Sequence, residues 1–163
     1  MVLASPQNIK FPMPYYTLSL DGLLWLSEYG RSSFRVSIVT ESLYQQIGGE
    51  TGLKKLVKAY INNLETLPDT QYLRSLYPSN LDYYEQRMVE FLSGWLGGPE
   101  LYLERHGMPM LREKHRALTI TAEARDEWMR CMRLAIEQTI KAPDLKLTLE
   151  GAFWRMADSL HHS

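Results

Sequence analysis

The chain has one cysteine, Cys131, in 163 residues. A single thiol excludes an internal disulfide and makes a reducing compartment, the cytoplasm, the default expectation. Long apolar runs are missing too. No stretch approaches the roughly 18 apolar residues of a membrane span, so no membrane role is expected. Charge of one sign is also lacking. A net charge of −1, with 23% charged residues, offers neither the basic excess of a nucleic-acid binder nor the acidic excess of a disordered tail. The opening MVLASPQNIKFPMPYY has no basic start leading into an apolar core and does not read as a secretory signal. Internal repeats and low-complexity segments are absent.

What remains is 45% hydrophobic residues, arranged mostly at helical spacing. Residues 1–39 stand apart as an N-terminal extension. They hold prolines in IKFPMPYY, one short helix-like run (LLWLSEYG) and a strand-like alternation of Phe34, Val36 and Ile38. Residues 40–163 read as one all-α domain. TESLYQQIGG is a first helix capped by Thr40 and stopped at Gly48-Gly49. Leu53, Leu56, Val57, Tyr60, Ile61 and Leu64 form the apolar stripe of a second helix, ended by Pro68. A short helix ends at Pro78. The next helix sets Tyr84, Met88, Phe91, Leu92 and Trp95 on one face and breaks at Gly97-Gly98-Pro99. Thr121 caps a helix bearing Trp128, Cys131, Met132, Ala135 and Ile136. The last helix carries Leu149, Phe153, Met156, Ala157 and Leu160.

Between Pro99 and Thr121 the periodicity fails, apart from one helical turn near Leu111 to His115. Long connections inside a small domain are often functional. This one contains MLREKHRAL, with His115 among Arg112, Lys114 and Arg116. One reading is a solvated basic turn. Another is an axial ligand for an iron porphyrin, which needs one strong nitrogen donor, an apolar slot and cations for its propionates. His115 offers the imidazole, Arg112 and Lys114 the cations, and the faces of Met88, Phe91 and Trp128 the slot. With no CxxCH, such a porphyrin would not be attached through two thioethers.

The ordered blocks YQQIGGETGLKKLVKAYI, LPDTQYLRSLYP, FLSGWLGGPELY, GMPMLREKH and RDEWMRCM resemble the truncated globins of group II, the HbO-like branch. The similarity covers roughly residues 41–140. It implies a 2-on-2 helical sandwich around non-covalent haem b, with His115 as the proximal iron ligand. It places Trp128 over the distal side of the ring and Tyr77 beside a bound gas. Tyr84 and Met88 fall at distal positions facing the iron, with Phe91 at the haem edge. Arg112, Lys114 and Tyr102 are propionate contacts by the same carry-over. Dioxygen, nitric oxide, carbon monoxide or peroxide are the implied ligands, and a reductase is a partner only for the enzymatic reading.

This sequence departs from the family's pattern in three places. The usual Phe-Tyr pair on the second helix is Tyr60-Ile61, so an isoleucine wall replaces the tyrosine that bonds dioxygen. The usual Gly-His-Pro is Gly107-Met108-Pro109, and the N-terminal extension is long. Loss of one donor to a charge-bearing ligand speeds its escape by about tenfold to a hundredfold unless another replaces it. Tyr77, Tyr84 and the Trp128 indole are the candidate replacements. Tyr84 has a further option as a tyrosinate ligand of ferric iron. Met88 is read as lining, Tyr60 as core or surface packing, Cys131 as a core filler and His106 as a solvated loop residue. Nitric oxide dioxygenation, weak peroxidase chemistry, gas sensing and a haem-free interaction module all stay open at this level.

Overall fold

The computed structural model describes residues 41–161; the expectations for residues 1–39 lie outside that range. Eight α-helices follow in order: α1 Leu43–Gln46, α2 Gly49–Thr66, α3 Gln71–Ser75, α4 Asp82–Trp95, α5 Leu101–His106, α6 Leu111–His115, α7 Ala122–Thr139 and α8 Pro143–Asp158. No strand occurs among the described residues. α2 packs on both α4 and α7, and α7 packs on α8. The α2–α4 pair thus lies over the α7–α8 pair, the two-over-two sandwich expected from the sequence.

The α2 stripe explains this packing. Leu53, Leu56, Val57, Tyr60, Ile61 and Leu64 are all buried, and they meet Met132, Ala135 and Ile136 of α7 with Leu149 and Phe153 of α8 in one core. Each fully buried leucine or isoleucine contributes about 1.5–3 kcal/mol. Gly52 lets α2 start close against α1. A Cβ there would stand 1.7 Å from the Ile47 carbonyl oxygen, so no side chain fits. Cys131 is fully buried in the same core, and burial followed by the nearby Glu127 carboxylate pushes its thiol up to about 11. It is an unreactive filler.

Three local expectations are corrected. Ser42, not Thr40, caps α1. Its hydroxyl accepts from the Gln45 amide while the Gln45 side chain accepts from the Ser42 amide, a reciprocal box; Thr40 lies outside the described residues. α8 begins at Pro143, earlier than its apolar stripe suggests, because proline suits a first helical turn. The stretch after Pro99 is not irregular: it holds the separate helix α5, stopped at Gly107 with φ 74°. α5 is held by side-chain contacts to α4 rather than by an apolar stripe of its own.

Candidate functional site

A cavity of about 410 Å³ opens between α4 and α6 and reaches the first turns of α7 and the last turns of α8. Met88, Phe91, Leu92, Leu111, Ile120, Met156 and Leu160 give it an apolar lining. The residues with polar groups in its lining are His115 from α6, the tyrosines Tyr77, Tyr83, Tyr84 and Tyr102, and the cationic Arg87, Lys114 and Arg125.

His115 sits at the end of α6, and its Nδ1 lies 2.7 Å from the Leu111 carbonyl oxygen one turn earlier. A carbonyl only accepts, so Nδ1 carries the proton. Nε2 then keeps its lone pair, and no described residue bonds it. This is the tautomer and orientation of a metal-ligating imidazole, fixed by a backbone partner. Among the described residues no group of three or more His, Cys, Asp or Glu side chains gathers to hold a bare ion. One imidazole in an apolar cavity with cations at its edge suits iron that arrives within its own organic frame.

Tyrosine hydroxyls occupy the region where α2, α4 and the end of α3 meet. Tyr77 donates to Tyr84 at 3.3 Å, and the Tyr60 and Tyr77 hydroxyls are 2.9 Å apart. Tyr60 is fully buried behind the cavity wall, with the Trp128 ring 5.5 Å away. Burial pushes Tyr60 and Tyr77 well above the usual phenol range and also raises Tyr84. All three therefore keep their protons at neutral pH.

The position of Tyr77 is set from two sides. Arg74 donates to the carbonyls of Tyr77, Pro78 and Ser79, closing the turn after α3. At the other end of α3, the Leu73 amide donates to Glu127 Oε2 at 2.7 Å. Glu127 thus caps α3 from α7, next to Trp128 in the wall of the cavity.

The cation-bearing end is organised by Glu90. This buried carboxylate accepts from Arg105 at 2.7 Å, from Gln86 at 3.0 Å and from Arg87 at 3.4 Å, and His106 Nε2 donates to it at 2.7 Å. The His106 ring meets Tyr102 edge-on at 5.0 Å, and Lys114 donates to the Tyr102 hydroxyl. His106 is therefore a structural partner, not the solvated loop residue expected. Burial works to raise the Glu90 carboxyl, but its bonds to Arg105 and Gln86 and the charge of His106 prevail and hold it below the usual carboxylate value. A carboxyl lowered on folding adds stability above its unfolded pKa of about 4.3, and that stability is lost as pH falls through the lower folded value. Glu90→Gln is expected to lose about 1–3 kcal/mol at pH 7. The low end of that range is favoured because Arg105 is half exposed and regains water. The gap to the parent protein should narrow below pH 4 in urea titrations. An unchanged gap at pH 3 would show that the charge contributes nothing.

Of the expected site residues, His115, Lys114, Tyr102, Phe91, Met88, Trp128, Tyr77 and Tyr84 line this one cavity. Arg112 and Ile61 are not among its lining residues. Arg112 is exposed on α6, and Ile61 is buried in the core. Sequence reasoning missed Tyr60, Arg87, Glu90 and Arg125. Arg125 is anchored by Asp126 and Asp158 at 2.9 and 2.8 Å, with its guanidinium 4.7 Å from the Trp154 ring. The YxxR spacing from Tyr84 to Arg87, one turn of helix, was a signal that could have placed Arg87 beside Tyr84.

Comparison with known proteins matches this geometry. A profile of bacterial-like globins matches residues 42–162. The group 2 truncated hemoglobin YjbI of Bacillus subtilis (strain 168) is 38% identical over 94 residues, which is 58% of this chain and 68% of that protein. The group II 2-on-2 hemoglobin from the plant pathogen Agrobacterium tumefaciens superimposes with a TM-score of 0.73 at 34% identity, covering 77% of this chain and 98% of that one. The cold-adapted truncated hemoglobin from the Antarctic marine bacterium Pseudoalteromonas haloplanktis TAC125 also gives 0.73 at 34% identity, over 76% of this chain and 99% of that one.

Proposed function

The chain belongs to the bacterial-like globin family, among group II truncated hemoglobins that bind haem b and oxygen, and from that premise we propose reversible binding of dioxygen and other diatomic gases with His115 as the axial ligand. The observation that carries this reading is the His115 ring. Its Nδ1 proton is committed to Leu111, and its Nε2 is unbonded on a residue that lines the cavity. Bound haem supplies an iron with one open coordination position for a small ligand. The protein supplies everything around it. Met88, Phe91 and Trp128 line an apolar slot that would exclude water, and Arg87 and Lys114, on the same cavity, would meet the propionates. The Tyr84 hydroxyl donates to the charge that a dioxygen ligand carries. Arg112 stays in this proposal only as a solvent-side attraction for the propionates.

The partner of Nδ1 is a backbone carbonyl rather than a carboxylate, which leaves His115 a weaker electron donor. That favours gas binding over peroxidase chemistry. Nitric oxide and carbon monoxide are further ligands within the same reading. Nitric oxide dioxygenation, with a reductase to restore the ferrous state, is its enzymatic extension. A cytoplasmic setting accords with the buried free thiol of Cys131. Among the described residues, no helix is long and apolar enough to cross a membrane.

The test is an absorption spectrum of the full chain produced with haem supplied, taken ferric, then reduced with dithionite, then with carbon monoxide. A Soret band that shifts on adding carbon monoxide supports the reading. A haem-saturated preparation with no such shift would sink it.

A further inference from the structure

We infer that Tyr60, one position before the usual tyrosine site, fixes the direction of the hydroxyl chain and so makes Tyr84 the donor that faces a ligand in the cavity. This rests on the gas-binding reading above. The argument is one of proton counting. A phenol has one proton to give and lone pairs to receive. Tyr77 gives its proton to Tyr84. At the 2.9 Å contact between Tyr60 and Tyr77, the proton must therefore come from Tyr60. Nothing competes for it from behind. Tyr60 is fully buried, and its other polar neighbour is the Trp128 indole, which only donates. The chain thus runs outward from Tyr60 through Tyr77 to Tyr84.

The proton left over belongs to Tyr84, which lines the cavity, whereas Tyr60 does not. Aligned hydroxyls polarise one another, so each link strengthens the next. Without the Tyr60 hydroxyl, Tyr77 loses the donor behind it. It then accepts from Tyr84 as readily as it gives, and the last proton turns away from the cavity in part of the population. The distal hydrogen bond is thereby set from α2, where the isoleucine at position 61 had suggested it was lost. Tyr60 acts as a positioning residue and touches no ligand itself.

The test uses carbon monoxide bound to the reduced holoprotein. The C–O stretch reports the field at the ligand and is not a measure of turnover. Tyr60→Phe is expected to move intensity into a higher-frequency band and to speed dioxygen release by about twofold to tenfold, the effect of one weakened neutral hydrogen bond. In a Tyr84→Phe background the same substitution should add no further shift, because the chain no longer ends in a donor. Tyr77→Phe removes the acceptor toward which the Tyr84 proton would turn, so it should leave that proton facing the cavity and shift the band little. A large upward shift there would make Tyr77 itself the donor to the ligand and overturn the idea, which keeps it testable if Tyr60→Phe does not fold. An unchanged band in Tyr60→Phe, or an equal shift with and without the Tyr84 hydroxyl, would reduce Tyr60 to packing. A parent protein that forms no carbon monoxide complex would instead refute the gas-binding reading.

Discussion

His115→Ala should lose haem on desalting, and with it the Soret band, while its far-ultraviolet circular dichroism stays that of the parent. The side chain is half buried, and its one hydrogen bond lies within α6. Its removal therefore costs the helical core little, on the order of 1 kcal/mol. No described carboxylate, thiolate or second imidazole lines the cavity to replace it. Met88 does line it, and a thioether is a known iron ligand. The absorption spectrum separates the cases. Millimolar imidazole should restore the band in the alanine variant by filling the space vacated by the ring. A band that survives the substitution and still shifts with carbon monoxide would assign the axial position to another residue.

Tyr84→Phe is expected to speed dioxygen dissociation by about tenfold to a hundredfold, the loss of one hydrogen bond to a partner bearing charge. Carbon monoxide accumulates less charge, so its dissociation should change much less, and the ratio of the two rates isolates the hydroxyl from any change in access. The phenol is raised by burial and stays protonated, so the effect should hold flat from pH 6 to pH 8. A dioxygen rate that changes no more than the carbon monoxide rate would show that Tyr84 gates the cavity but does not donate into it. Stopped-flow displacement measures both.

The sequence made the helices legible because a buried stripe repeats every three or four residues whatever it packs against. The stripe of α2 is the clearest example. His115 and Trp128 were legible for a different reason, the order and spacing of blocks that resemble a known family. Tyr60 was not, since its role turns on where one ring points and which hydroxyl it finds seventeen residues away. The Glu90 cluster was hidden by pattern reasoning itself. A carboxylate on the inward face of α4 contradicts the amphipathic rule, and its two shortest contacts, Arg105 and His106, come from α5, fifteen and sixteen residues on. α5 escaped notice because its stability comes from those same bonds. Arg112 and Ile61 were placed by homology of position, which fixes the backbone and leaves the direction of each side chain open.

The carboxylate cap that Glu127 places on α3 ties two events in assembly together. α3 has five residues and no side-chain cap of its own, too short to persist as a helix before its partner arrives. α7 has eighteen, with Thr121 capping its first turn. The long helix is therefore expected to form and dock before the short one settles. The loop that carries Tyr77 is ordered late, after the main seam has closed. Amide exchange at Leu73 should then keep pace with the opening of α7 rather than with local fraying. On that expectation, the side of the cavity that carries Tyr77 is among the last parts of the chain to take its final shape.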